Sequence, residues 1–327
     1  MPSPDELREK IRGAVVALVT PTTPDHELDL PVFRENVRFS MEGVKGGLGC
    51  LMACGGGGEG YFLDKPQWKS MVEAFSEETD GEVTTMAGVF DLNAKHAIEK
   101  IRFAEELGID LVQLAPPHYE KPTDLEVHRF YKMVNDAVSD IGIIIYHTYW
   151  SMPENYEITL PLMTKLIELE HVVGIKWAST SLKNFTDVVF GLSDRVSIID
   201  NQGWVDLVRA DYGIRAFMCF LGNYAPNRLS RISRMFLDGN YGDWAEEKSK
   251  AMAHRFAIIK EILSIVHGTA GKGEVYTLAE GTLSKTTMEM VGRPAGPPFP
   301  PQYELTAEEK ANLKAKLERD GMLKDLS

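Results

Sequence analysis

Eight short apolar runs, each followed by a longer amphipathic stretch, constrain this chain more than any other feature. The runs are AVVALV (14–19), GLGCLMA (47–53), VTTMAGV (83–89), DLVQLA (110–115), GIIIYH (142–147), VVGIKW (172–177), VSIID (196–200) and IRAFMCF (214–220). Each has the length of a strand buried on both faces. Between them lie helical patterns such as LPVFRENVRFSMEGV (30–44), NAKHAIEKIRFAEELG (93–108) and TDLEVHRFYKMVNDAVS (123–139). Asp64 with Pro66 and Gln67 forms a helix start, and Gly108 a helix stop. Two architectures accept the alternation, a closed eightfold βα barrel and an open doubly wound sheet. The count of eight and the even spacing favour the barrel. The expected architecture is therefore one domain over residues 1–327. Its core is a (β/α)8 TIM barrel at 14–225, followed at 226–327 by the final barrel helix and a C-terminal helical extension. Within the extension, 226–268 reads as nearly continuous helix with a turn around Asp238–Gly242. GRPAGPPFPPQYEL (292–305) reads as an extended Pro-rich segment, and TAEEKANLKAKLERDGM as a last charged helix.

Composition narrows the partners. The net charge is −13 and no basic run occurs, which argues against nucleic acid or an anionic membrane surface. No apolar stretch reaches the ~20 residues of a membrane span. MPSPDELREKIRG lacks the apolar core of a signal peptide and reads instead as a short helix with Ser3 and Asp5 as candidate caps. Cys50, Cys54 and Cys219 are an odd set without a CxxC pair, which fits a reduced cytoplasmic protein. The eight His are scattered, with no H-x-H or H-E-x-x-H pairing, so neither a metal nor another cofactor is expected. A G-x-S-x-G elbow and a P-loop are also missing.

The second apolar run is followed by LMACGGGGEGYF (51–62), with four consecutive glycines at Gly55–Gly58. Gly55, Gly57 and Gly60 formally match G-x-G-x-x-G. In a dinucleotide site the helix must open at the motif, whereas here Tyr61, Phe62 and Leu63 intervene before the Asp64 start. Two readings compete with that one: a flexible turn, and a loop whose bare backbone N–H groups approach a small anion without β-carbons in the way. The C-terminal ends of barrel strands, where this loop falls, are where such folds bind substrate.

Lys176 lies within the apolar run VVGIKW. An ammonium there is expensive unless it is paired or neutral. Burial lowers its pKa toward a free amine, a carbonyl nucleophile that forms Schiff bases. The plain alternative is a lysine that snorkels to solvent at a strand end. Tyr146 ends the preceding run, so in a barrel both side chains overhang the same mouth. Its phenol can carry protons beside the amine, or be a core tyrosine tied to backbone. His147 alternates to the other face or the rim and reads as structural.

These features together resemble the dihydrodipicolinate synthase / N-acetylneuraminate lyase family of class I aldolases and dehydratases. The glycine loop with Glu59, PPHYEKP (116–122), Tyr146, and GIK ending at Lys176 keep the family's order, and the likeness runs from ALVTPT (17–22) through the eighth strand. The resemblance implies an imine between Lys176 and a pyruvate-like 2-oxo acid, proton transfer by Tyr146, and the carboxylate held by the amides of Gly56 and Gly57. It further implies a relay role for Tyr119, in some members across a subunit interface, and a place for Met218 in the pyruvate pocket. An aldehyde as second partner and a homo-oligomer, dimer or tetramer, follow from the same likeness.

The chain departs from the family where threonine usually stands, at Gly56 and Gly57, which removes the hydroxyls linking loop and tyrosine. The family's Tyr-Asn-x-Pro reads Tyr146-His147-Thr148-Tyr149 here. Ser151 occupies the position of an arginine that binds the second substrate's carboxylate in the biosynthetic synthases. Tyr149 and Trp150 make that side bulky and aromatic, so an aromatic or less polar aldehyde is expected. The long extension is similar to the hydratase-aldolase and keto-deoxy sugar acid branches. The leading expectation is aldol cleavage or condensation with pyruvate. The runner-up is a keto-deoxy sugar acid dehydratase, and a non-catalytic 2-oxo acid sensor is the alternative of another class.

Overall fold

The computed structural model describes residues 2–204, 213–266 and 280–323. The eight runs form eight strands: β1 (Gly13–Ala17), β2 (Gly49–Ala53), β3 (Thr84–Val89), β4 (Leu111–Leu114), β5 (Gly142–Tyr146), β6 (Val172–Trp177), β7 (Ser197–Asp200) and β8 (Ile214–Met218). All neighbours are parallel and follow chain order, and β1 closes on β8, so the sheet is a closed barrel. Closure explains the unbroken apolar runs, since each strand faces side chains inside the barrel and helices outside it. Val15, Met52, Met86, Leu111 and Ile144 meet inside. Val16, Leu51, Ala87, Val112 and Ile145 pack outward under the helices.

Helix α1 (Pro4–Lys10) seals the bottom. Ser3 and Glu6 form its capping box, and Asp5 sits in the first turn, not at the cap. Leu7 and Ile11 insert from below into the interior cluster. The barrel helices that follow are α2 (Leu30–Met41), α3 (Lys65–Thr79), α4 (Ala94–Glu106), α5 (Asp124–Asn135), α6 (Leu160–Leu166) and α7 (Leu182–Leu192). Asp64 and Gln67 satisfy each other's backbone N–H at the start of α3, at 2.8 and 3.1 Å. Gly108 stops α4 at φ +75°, the left-handed region that a β-carbon disfavours.

After β8 come α8 (Pro226–Leu237) and the 26-residue α9 (Tyr241–Val266). The expected turn lies between them, with Gly239 at φ +77°. Phe217 of β8 meets Phe236 and Trp244 at centroid distances of 5.1 and 5.4 Å, which pins α8 and α9 to the last strand. Helix α10 (Glu280–Met290) returns toward the glycine loop, and the Pro-rich stretch 292–305 holds no helix or strand before α11 (Ala307–Arg319). Among the described residues no helix is long and apolar enough to cross a membrane. Cys50, Cys54 and Cys219 are free and buried.

Candidate active site

Tyr146 and Lys176 are register partners on adjacent strands, which carries both side chains to the mouth of the barrel. The Lys176 Nζ lies 4.0 Å from the Tyr146 ring centroid and 3.4 Å from the Thr148 Oγ1 to which it donates. Lys176 is only 6% exposed. Among the described residues no carboxylate lies within ion-pair distance of it. Burial therefore drives its pKa down from 10.5 to about 7, against a smaller upward pull from Glu280. Burial pushes the Tyr146 phenol up, and the neighbouring Thr148 and Ser151 hydroxyls oppose that shift.

Both residues line a cavity of about 1040 Å3 at the C-terminal end of the strands, the end at which such barrels carry their sites. Gly56, Gly57 and Met218 line it as well. The glycine run divides into two halves with different reasons. A β-carbon on Gly58 would stand 2.0 Å from the Leu18 carbonyl oxygen, and one on Gly60 1.8 Å from that of Cys54. Those two glycines exist for backbone packing. On Gly56 a β-carbon would meet the Tyr146 hydroxyl at 3.4 Å, and on Gly57, among the described residues, only Glu280 at 4.0 Å. These two face the cavity, and neither has a positive φ. The left-handed residues of the loop are Cys54 and Glu59, at φ +54° and +61°. The N–H groups of Gly58, Glu59 and Gly60 bond back to the carbonyls of Gly55 and Gly56 at 3.0 Å each. That leaves Gly56 and Gly57 at the start of the turn, where N–H groups have no partner within a helix.

The loop is held from behind by Glu59, whose side chain is fully buried. It accepts from the Phe299 N–H at 2.8 Å and from Gln302 Nε2 at 2.5 Å, and pairs with Lys285 of α10 at 2.8 Å. Lys285 also donates to Thr22 Oγ1 at 3.1 Å and to the Pro297 carbonyl at 2.7 Å. Gly281 is the residue that lets α10 approach, since a β-carbon there would fall 2.0 Å from Glu59 Oε1.

Not every expected residue converges. Tyr119 is 81% exposed and is not part of the cavity wall, where His118 stands instead. Within one chain no Tyr119–Tyr146 relay is assembled. Of the aromatic pair, Trp150 lines the cavity and Tyr149 does not, packing edge-on against it at 5.0 Å. His147 faces away and stacks on Trp177 at 4.8 Å. Burial, with the charge of Lys176, lowers its pKa to about 3, so the ring is neutral at ordinary pH. Phe90, Tyr61, Phe220, Arg255 and Glu280 complete the walls. Sequence reasoning missed them, Glu280 above all, because they reach the mouth from loops and from the extension. Among the described residues no three of His, Cys, Asp and Glu gather as a metal site requires.

The Dihydrodipicolinate synthetase family model matches residues 10–320. The 4-hydroxy-tetrahydrodipicolinate synthase of Parvibaculum lavamentivorans is 31% identical over 244 residues, covering 74% of this chain and 80% of that protein. Two solved structures share the fold. One is the N-acetylneuraminate lyase from Mycoplasma synoviae, with a TM-score of 0.74 and 21% identity, covering 95% of this chain and 97% of that one. The other is the chloride-inhibited dihydrodipicolinate synthase from Acinetobacter baumannii complexed with pyruvate, with a TM-score of 0.77 and 20% identity, covering 95% and 99%. The chain belongs to the dihydrodipicolinate synthetase family and is a lyase of the class I aldolase type.

Proposed function

We propose that the protein is a Schiff-base lyase that cleaves or forms a carbon–carbon bond next to a pyruvate-like 2-oxo acid. The observation that carries this is the unpaired, buried Lys176 amine, with its pKa near 7 and the Tyr146 ring against it. At neutral pH a large fraction of that amine is free to attack the ketone carbon of the oxo acid. Tyr146, with the Thr148 and Ser151 hydroxyls beside it, supplies the proton with which the carbinolamine oxygen leaves as water. The resulting iminium draws electrons. In the cleavage direction the C4 hydroxyl gives its proton to the Tyr146 phenolate and becomes the carbonyl of the departing aldehyde, while the bond between C3 and C4 breaks and its electron pair enters the iminium to give an enamine. Protonation of the enamine at C3 and hydrolysis of the imine release pyruvate and restore the amine. Condensation is the same path reversed. Glu280 at the rim favours the cationic form of Lys176, and the same field favours the iminium. The amides of Gly56 and Gly57 hold the carboxylate. The relative from Acinetobacter baumannii solved with pyruvate supports the choice of oxo acid.

A keto-deoxy sugar acid carries a row of hydroxyls and calls for polar walls. Beside the polar Asp200, Asn201, Gln202 and Lys248, the walls here carry Phe90, Met218, Phe220 and Trp150, and that stackable surface favours an aromatic aldehyde. For Tyr119 this reading assigns a contact with a second copy of the chain, not a role inside its own cavity. A continuous pyruvate-release assay over arylidene pyruvates, aldol adducts and sugar acids tests the proposal. Pyruvate with an equimolar aldehyde supports it. A dehydrated product that keeps the whole carbon skeleton would assign the dehydratase instead, and binding without turnover a sensor.

A further inference from the structure

Gln302 lies in the Pro-rich stretch, far along the chain from the glycine loop, yet it is 7% exposed and its side-chain amide joins three segments. Its Nε2 donates to Glu59 Oε1 at 2.5 Å and to the Phe299 carbonyl at 3.2 Å. Its Oε1 accepts the Gly281 N–H at 2.8 Å. That N–H belongs to the first turn of α10, where no carbonyl of the helix itself can meet it. The amide thus works at both ends. One end braces the loop of Gly56 and Gly57, and the other fixes the turn that begins with Glu280.

Glu280 is the charged group that the extension brings into the site. It lines the cavity together with Lys176, and its Oε2 lies 4.0 Å from the place of a β-carbon on Gly57. The other ionisable groups on the wall are Tyr61 of the loop, His118 after β4, Tyr146 of β5, Asp200 of β7, Cys219 after β8, and Lys248 and Arg255 of α9. His147, next to Tyr146 in sequence, is neutral. Among the described residues Glu280 is the one whose charge opposes the burial-driven fall in the Lys176 pKa. Such an influence falls with distance, so it depends on where the first turn of α10 is held.

We propose that Gln302 is a positioning residue of the active site, whose one amide sets both the loop that receives the oxo acid's carboxylate and the Glu280 carboxylate that shares the cavity with the Lys176 imine. This rests on the Schiff-base reading and carries the working site into the C-terminal extension. Pyruvate alone is the probe, in D2O. Its imine loses a C3 proton to give the enamine, which takes back a deuteron, and NMR follows the loss of the methyl signal. In Glu280→Gln the amine gives up its proton more readily, so the acid limb of kcat/KM for exchange should move to lower pH. Relative to the plateau, exchange at pH 6 should rise about twofold or more, the scale of one partly solvated charge. Gln302→Met should move the limb the same way and raise KM for pyruvate about threefold or more. Glu280→Gln/Gln302→Met should move the limb no further than Glu280→Gln alone. Thr282→Val removes a bond to the Tyr303 carbonyl between the same two segments, at 2.5 Å, and should leave limb and KM unchanged. Gln302→Asn, whose amide is one methylene short, is the second variant if Gln302→Met does not fold. A lowered Tm with limb and KM unmoved, or limb shifts that add in the double substitution, overturns the proposal. An unmoved limb in Glu280→Gln overturns it alone. Absence of exchange by the unsubstituted chain is a separate result, which overturns the imine reading and this inference with it.

Discussion

Two lysines lie buried within this molecule, and they resolve the cost of burial in opposite ways. Lys285 is 2% exposed and saturated: Glu59 faces it at 2.8 Å, and Thr22 and the Pro297 carbonyl take its remaining protons. Lys176 is 6% exposed, has one weak hydroxyl contact at 3.4 Å, and lies against an aromatic face. Burial lowers the pKa of both, and at Lys285 the Glu59 carboxylate opposes the shift through both charge and hydrogen bond. The first keeps its charge and ties the extension to the glycine loop. The second, with its pKa lowered to about 7, is partly uncharged at neutral pH, the state that the proposed imine chemistry uses. The number of partners around a buried amine, more than burial itself, separates a strut from a catalyst.

The largest expected effect is at Lys176. Lys176→Met should remove turnover by roughly 10,000-fold or more, because it deletes the amine assigned to form the imine. It should also stabilise the fold. The folded amine has a pKa near 7 against 10.5, so unfolding takes up a proton between those values. That contribution is absent above about pH 10.5, and stability falls as pH drops toward 7. Urea unfolding at pH 7 should show a gain on the order of 3 kcal/mol for Lys176→Met, shrinking as pH approaches 10.5. A loss of stability would mean that the amine is paired in solution and the contrast with Lys285 is false. The same pKa predicts that kcat/KM climbs about tenfold per pH unit below 7 and levels off above it, as the free amine accumulates. A flat profile from pH 5.5 to 8 would place the titrating group elsewhere.

Tyr146→Phe keeps the ring under the amine and deletes only the phenol. A fall in kcat of about 100- to 10,000-fold is expected, with slower imine formation in single-turnover mixing. A variant within about threefold of the parent, well inside that range, would move the proton work to the Thr148 hydroxyl. Lys285→Met breaks the strut and strands Glu59 without its cation. It should cost about 3–5 kcal/mol in urea unfolding, with Lys285→Met/Glu59→Gln recovering part of it. A loss below about 1 kcal/mol, the worth of an exposed ion pair, would show that Lys285 is not the buried strut described here. The smallest effect is expected at Gly57, where Gly57→Thr meets only Glu280. It should change Tm little and alter KM for the oxo acid more than it alters stability. A large drop in Tm would make this half of the loop structural, like Gly58.

The same comparison explains what was legible in the sequence. The strands were readable because a barrel strand buried on both faces leaves an unbroken apolar run. Lys176 was readable because a lysine inside such a run has no cheap structural reason. Lys285 sits in LAEGTLSKTTMEM, a helix where lysine is ordinary, so nothing local announced that it is buried. Its partner Glu59 stood out only by its place beside the glycines. Gly58 packs against the carbonyl of Leu18, a contact that exists only once β1 and β2 are paired, and Gly60 against that of Cys54 as the loop folds on itself. Arg255 reads along the chain as the polar face of an amphipathic helix, and only the docking of α9 on β8 turns it toward the mouth. Tyr119 is the opposite case, a residue placed by resemblance alone, which a single chain leaves 81% exposed and which the resemblance in some members puts across a subunit interface.

Borohydride trapping tests the central contrast most directly. The protein is incubated with pyruvate at pH 7, reduced, digested and mapped by mass spectrometry. A single stable adduct on Lys176, with Lys285 unmodified and no adduct in Lys176→Met, is the predicted result. Absence of any adduct, or an adduct on Lys285 or another lysine, contradicts the assignment of Lys176 as the nucleophile.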